Sequence, residues 1–303
     1  MWFLFAIATT LIWGLAELFY KKGARSDEPY SHLKICVCVG FVMGIHAVFT
    51  LLTMDINYNP QNLVQYLPVS LCYIISMALS FFGIRYIEES ISDPIENTSG
   101  AICCLLCVIF LGKTLSGGSI VAVLLIVAGI LGIGFLEKSG ETDRRKKLGR
   151  TMAVVAFAMP FCYAVIDAIG SFLDIYYLDI RTSPLIGVNE ETIEQVANTS
   201  YELIFAICAI LILIFLKCKK VQFNLPTQRD KIIAAVCETG GQFTYVYAMS
   251  GNGAVAAPVI SSVCVVSLLL SRIVLKEKLT AKQYLFLAMV IAGILILAVV
   301  EGE

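Results

Sequence analysis

The chain has 303 residues, of which 58% are apolar and 15% charged, with a mean hydropathy of +0.84. Soluble domains carry roughly 45–50% apolar and about 25% charged residues, so this composition excludes a soluble enzyme, and it excludes a disordered chain too. Lysine and arginine number 22 against 23 acidic residues; with no basic surplus to meet a phosphate backbone, nucleic acid is excluded as a partner.

The excess of apolar residues falls in ten blocks, at 2–20, 34–53, 64–84, 92–112, 118–136, 151–172, 200–216, 231–250, 254–275 and 282–299. A helix needs about 20 residues to cross a hydrocarbon core about 30 Å thick, and these blocks fit that length better than the shorter alternating strands of a barrel. The first has no basic leader and no small-residue cleavage site, so it reads as a span rather than a removed signal. It carries Trp13 and Glu17; Glu17 precedes Lys21 by four residues, where a local ion pair competes with a cavity-facing role. The second block holds His46 beside Gly40 and Gly44, a spacing that suits close helix packing; the imidazole is a candidate proton relay. The fourth opens SISDPIENTSG, with Asp93, Glu96 and Asn97 around Pro94. Proline and acids suit a first helical turn, and a break there would expose backbone groups to a ligand.

The sixth block contains Pro160, expected to kink it, then Tyr163 and Asp167. The eighth places Glu238, Gln242 and Tyr245 on one helical face, with Gly240 and Gly241 between them. Asn252, flanked by Gly251 and Gly253, reads as a turn before the ninth. Ionisable groups inside a bilayer are costly and usually line a cavity or pathway, so Glu17, Glu96, Asp167 and Glu238 are the leading candidates for substrate or proton binding. His46, Gln242, Tyr245, Trp13 and Tyr163 are secondary ones. Ten of the eleven cysteines sit in apolar blocks and read as small buried side chains; no metal site is expected. Asn198-Thr199-Ser200 has the form of a glycosylation sequon and falls in the expected outer loop.

Charge sets the expected topology. Connections 1, 3, 5, 7 and 9 hold 20 lysines and arginines, and the even connections hold Lys113 and Arg181 alone. By the positive-inside rule the odd connections face the cytoplasm, so both termini lie outside. Residues 137–150 form a basic cytoplasmic linker and residues 173–199 an acidic external loop.

The halves also repeat. A shift of 164 residues lays 92–134 on 256–298, matching Pro94 to Pro258 and Ala128-Gly129-Ile130-Leu131 to Ala292-Gly293-Ile294-Leu295. A shift of 150 sets Trp13 and Glu17 against Tyr163 and Asp167. Five spans is an odd number, so the second unit starts from the opposite face. The expected fold is therefore an all-α polytopic membrane protein of ten transmembrane helices, a 5+5 inverted-topology repeat of units 1–136 and 151–299.

The opening WFLFAIATTLIWGLAELFYKKG resembles the first helix of EamA-type members of the drug/metabolite transporter superfamily. Residues 274–297 and 110–132 are similar to that family's paired hairpins, with Gly112-Lys113 where the family usually shows Gly-Glu. The resemblance covers nearly the whole chain. It implies transport rather than catalysis, and a substrate among amino acids, amines, choline-like cations, nucleotide-linked sugars or toxic compounds, often driven by protons.

The expected function is secondary active transport by alternating access of a small cationic or zwitterionic metabolite, because acids outnumber bases inside the spans. H+ is the expected coupling ion and no cofactor is expected. Arg85 and Arg272, near the cytoplasmic ends, keep an anionic metabolite or nucleotide-sugar exchanger open, and an uncoupled channel or facilitator is the other alternative. The expected partners are the small-molecule substrate and the lipid bilayer of a bacterial cell (inner) membrane, with the protein a monomer or homodimer.

Overall fold

The computed structural model describes residues 1–25, 27–86, 89–137, 150–275 and 280–301. Among them there are helices and connections and no strand. The helices are α1 Trp2–Gly23, α2 Ser31–Thr53, α3 Asn62–Gln65, α4 Leu67–Gly83, α5 Glu89–Glu96, α6 Ser99–Phe110, α7 Gly117–Glu137, α8 Arg150–Leu178, α9 Ile193–Cys218, α10 Arg229–Ile260, α11 Val263–Leu275 and α12 Ala281–Val300. In lipid every backbone N–H and C=O must be satisfied inside the chain, which selects helix for these apolar runs. Six helical stretches are long and apolar enough to cross a membrane, and a seventh if the bent pair Leu225–Ile260 and Val263–Leu270 is one span. Leu67–Gly83 and Gly117–Ile133 are apolar but shorter. The chain is thus an all-α polytopic membrane protein. Only α12 is described with a complete capping box: Thr280 and Gln283 exchange backbone and side-chain hydrogen bonds, satisfying orphan donors of the first turn.

Several elements depart from the expected boundaries. The block at 92–112 is broken at Asn97–Thr98 into α5 and α6, and Pro94 lies inside α5 instead of in a first turn. The block at 254–275 is broken at Ser261–Ser262. Shifting 97–98 by 164 residues gives 261–262, so the two breaks occupy equivalent places. Pro160 lies within α8, which stays helical through it. The expected 173–199 loop shrinks to residues 179–192, because Ile175, Leu178, Ile193, Val196 and Ala197 are apolar and buried and extend α8 and α9 inward. Asn198 therefore lies buried in α9 with its amide on Glu202, which overturns the sequon reading. The basic linker, apart from Glu137 and Arg150 at its ends, and Lys276, Glu277 and Lys278 lie outside the described residues.

Helix α10 is helical from Arg229 to Ile260 except at Asn252, which leaves helical geometry (φ −157°, ψ 66°). The contacts of α1 show what happens there. Gly23 lies against Lys231, Trp13 against Gly241 and Trp2 against Gly251, so the two stretches run antiparallel. Past Asn252, Gly14 lies against Val266 and Lys21 Nζ donates to Ser267 Oγ at 3.1 Å. The chain has reversed, and the reversal sits at the Gly-Asn-Gly expected to turn.

Helices α7 and α12 cross through their small residues. A Cβ on Gly129 would lie 2.5 Å from Val290, and one on Gly293 would lie 2.7 Å from Ile126. The 164-residue shift carries Gly129 to 293 and Ile126 to 290, so each contact is the image of the other.

The two ends of the bundle differ in chemistry. At one end the Glu28 carboxylate bridges Lys34 at 2.7 Å and Lys231 at 2.8 Å, while its carbonyl accepts from Arg85 at 3.1 Å. The connections after α1, α4 and α9 meet there. At the other end Trp2 donates to the carbonyl of Glu301 at 3.3 Å, Ser119 donates to the Glu301 carboxylate, and Asn62 exchanges hydrogen bonds of 3.0 and 2.8 Å with the backbone of Ile186. Both termini therefore lie at one end and the lysine–glutamate cluster at the other.

That cluster predicts a pH response. Partial burial pushes the Glu28 carboxyl up, but hydrogen bonds from Lys231 and Lys34 and their charges outweigh it and hold the group below the usual carboxylate range. A depressed carboxylate contributes stability above its unfolded pKa, about 4.3, and loses it as pH falls through the folded value. Glu28→Gln leaves two buried ammonium groups uncompensated and is expected to destabilise by about 3 kcal/mol at neutral pH. The gap in melting temperature between wild type and variant should close on acidification; a constant gap from neutral to acid pH would show that Glu28 contributes no ionic stability.

Candidate functional site

A central cavity opens between α1, α4, the breaks α5–α6 and α10–α11, α8 and α10. About 140 Å³ of it admits the centre of a water-sized sphere. Eight of the nine candidate residues line it: Trp13, Glu17, Glu96, Tyr163, Asp167, Glu238, Gln242 and Tyr245. The described lining holds no lysine or arginine.

Each acid is held differently. Glu96, the last residue of α5, accepts from Ser80 at 2.7 Å and from Ser92, one turn earlier, at 2.6 Å. Its carboxyl is brought inward because α5 ends here. Glu238 accepts from Tyr20 at 3.1 Å, and its backbone carbonyl accepts from the Trp13 indole at 3.3 Å. Gly241, one turn on, allows that indole to lie flat against α10, since a Cβ there would collide with the ring. Asp167 faces the hydroxyls of Ser99, Ser76 and Tyr163. Glu17 has Lys21 and Ser267 beside it, yet its Oε2 is buried and accepts no hydrogen bond. Lys21 itself reaches Ser267, so the expected local pair accounts for only part of the Glu17 carboxyl.

The four carboxyls lie close enough to feel one another: Glu17 interacts with Glu96 and Glu238, and Asp167 with Glu96 and Glu238. Negative charges gathered in a low-dielectric site require compensation by protons or a cation. The walls supply a surface suited to the second. The Trp13 and Tyr245 rings lie 5.1 Å apart, Tyr20 and Phe81 4.6 Å, and Tyr73 and Tyr245 6.0 Å edge to face. Aromatic faces attract organic cations. The breaks contribute as well. Ser99 and Gly100 at the start of α6, and Val263 at the start of α11, line the cavity, and helix N-termini carry partial positive charge.

His46 is the exception. It lies 2.8 Å from both carboxylate oxygens of Glu202, between α2 and α9 and away from the central cavity, with Phe243 edge-on at 6.0 Å. Glu202, whose side chain is fully buried, was not singled out from the sequence. The cue available was a lone acid near the start of an apolar block, with Asn198 one turn before it. Arg85 belongs to the Glu28 cluster, and Arg272's side chain lies outside the described set. Tyr20, Ser80, Ser99, Ser171 and Tyr201 also line the cavity unannounced. Of these, Tyr20 follows Glu17 by three residues, a neighbour on the same helical face.

The family model of the EamA-like transporter family matches residues 1–135 and 185–299. This chain belongs to the EamA-like transporter family. No curated protein matches it. Among solved structures, 29 chains match. One crystal structure shares 13% identity with a TM-score of 0.70, over 98% of this chain and 96% of that one; at that identity it shows the fold alone. The EamA-like protein is accordingly a membrane-embedded member of a transporter family and not an enzyme. Among its described residues no group of three or more His, Cys, Asp or Glu could hold a metal ion.

Proposed function

We propose that this EamA-like protein is a secondary active transporter that carries a small cationic or zwitterionic metabolite through the acid cavity, coupled to protons. The observation that carries the reading is the set of four carboxyls lining one aromatic cavity whose described lining has no basic side chain, with Glu17 Oε2 buried and unpartnered. A cation compensates these charges in one state and protons compensate them in another. Competition between the two couples the gradients. The helix N-termini at the breaks suit the carboxylate of a zwitterion.

The same reading takes the chain as ten crossings in two inverted units, 1–136 and 151–299. It is supported by the equivalent breaks at 97–98 and 261–262, by the reciprocal Gly129–Val290 and Gly293–Ile126 contacts, and by the reversal at Asn252. Alternating access is then a rocking of one unit against the other, with the Glu28 cluster closing the cytoplasmic end and both termini outside.

Thermal stabilisation of the purified protein tests the substrate class. The panel is amino acids, amines, quaternary ammonium compounds, sugars and nucleotide sugars, at two pH values. A ligand at about 100 times its Kd adds about 2.7 kcal/mol of stability. A hit among cations or zwitterions, weaker at the lower pH, supports the proposal. Hits confined to anionic ligands would overturn it.

A further inference from the structure

Beyond the cavity, α8 carries a second acid that no candidate set included. Asp174 is fully buried and makes no ion pair among the described residues. It lies seven residues after Asp167, on the same face, toward the end of the bundle that holds the termini. Its Oδ1 accepts from the Tyr66 hydroxyl, and its Oδ2 from Tyr73 at 3.4 Å. The Tyr73 and Tyr245 hydroxyls share a hydrogen bond of 2.7 Å, and Tyr245 shares another of 3.0 Å with Ser171. Tyr73, Ser171 and Tyr245 also line the acid cavity.

We propose that Asp174 is a second proton-binding site, joined to the acid cavity by the hydroxyls of Tyr73, Tyr245 and Ser171. The use made of that proton rests on the transport reading above; its existence does not.

The argument is one of hydrogen-bond direction. A hydroxyl has one proton to give and can also accept. Tyr73 has three acceptors in reach, Asp174, Tyr245 and Ser171, and one proton. When Asp174 is ionised, Tyr73 donates to it and Tyr245 donates to Tyr73. When Asp174 takes a proton, its own O–H donates to Tyr73, Tyr73 donates to Tyr245, and Tyr245 donates to Ser171. Asp174 gains the one proton that enters, no proton leaves the row, and each hydroxyl keeps its own and turns to donate toward the cavity. Protonation of Asp174 is therefore felt at Tyr245 in the cavity wall. The groups facing this cluster from the packed helices are Tyr66 and Tyr73 at α4, Tyr245 on α10, Tyr201 on α9 edge-on to Tyr73, and Tyr177 on α8 edge-on to Tyr66. No cation is among them, so among the described residues it is the Tyr66 and Tyr73 hydroxyls that stabilise a charge on Asp174.

The row lies between the cavity and Asp174, with Tyr73, Ser171 and Tyr245 in the cavity lining.

Infrared spectroscopy of the full chain in lipid, titrated with no ligand present, reads this directly through the carbonyl stretch of protonated carboxyls. The cavity carboxyls contribute bands of their own, so the reading is the difference between wild type and variant. The expected result is that one pH-dependent band is lost in Asp174→Asn, shifts in Tyr73→Phe and Tyr245→Phe, and persists in Glu238→Gln. Where Asp174→Asn does not fold, Asp174→Glu must shift that band. An Asp174→Asn spectrum that keeps every titrating wild-type band, or bands all unmoved by Asp174→Glu or by Tyr73→Phe, overturns the proposal, as does a wild-type spectrum with no titrating band. No substrate is needed. Failure here alongside cation binding in the cavity would remove the second proton site and leave the transport reading standing, whereas a titrating Asp174 in a protein that binds no cation would do the reverse.

Discussion

Glu238→Gln is expected to weaken binding of a quaternary ammonium probe about 30-fold or more. The substitution keeps the shape of the side chain and its bond to Tyr20, and removes one charge from a group of four. Truncating one partner of a buried charge pair costs about 2–5 kcal/mol, and every 1.4 kcal/mol is about tenfold in Kd. Glu238 is the sharpest choice because it faces Glu17 and Asp167 at once and its only described side-chain hydrogen bond comes from a neutral phenol. His46→Gln is the matching control. It disturbs the contact with Glu202 between α2 and α9, outside the central cavity, and should leave the probe's affinity within about threefold, a change of less than 1 kcal/mol. Equilibrium binding of the probe to both variants checks the pair. Wild-type affinity in Glu238→Gln, or equal losses in both, would place the cation elsewhere.

Gly100→Leu should abolish the folded protein or lower its melting temperature far more than Gly117→Leu. Gly100 is the second residue of α6, where α6 crosses the last turn of α10. Its N–H donates to Ser261 Oγ at 3.1 Å, and a Cβ there would lie 2.5 Å from the Ala257 carbonyl oxygen. The obstacle is backbone, so no rotamer relieves it. Overpacking a well-filled core costs about 1–3 kcal/mol for added methylenes, and a branched side chain at a backbone crossing exceeds that range. Gly117→Leu provides the comparison, since a Cβ there meets nothing within 4 Å. Melting curves in the same detergent should separate the two. Equal stability would mean that the two broken helices do not cross this closely.

Much of the fold was legible because lipid leaves so few options. Long apolar runs become helices, and the lysine and arginine distribution divides the connections into two classes. The structure gathers the connections after α1, α4 and α9 at one end and both termini at the other. The prolines and the Ala-Gly-Ile-Leu runs suggested a repeat, and the glycine of each run packs on the helix that carries the other where α7 crosses α12, Gly129 on Val290 and Gly293 on Ile126. Acids inside apolar blocks announced the cavity because a bilayer tolerates them only with a purpose.

Other features had no local signal. Where α8 ends could not be read, because Asp174 looks like loop chemistry until Tyr66 and Tyr73, a hundred residues away in sequence, cover it. The run around Pro94 left a first helical turn and a break both open, and the structure puts the break at Asn97–Thr98, between two half-helices. That break is stabilised across space, by Ser261 on Gly100. His46 looked like a cavity residue for the same reason as Glu17, and only the position of Glu202 on α9 assigns it elsewhere. Composition and periodicity thus decided which segments enter the membrane and which polar residues needed an explanation. Which of those residues meet depends on how the helices cross, and that is settled by close contacts at Gly14, Gly40, Gly100, Gly129 and Gly293 between segments far apart in the chain. Such contacts depend on the shapes of two surfaces together, and no window of sequence contains both.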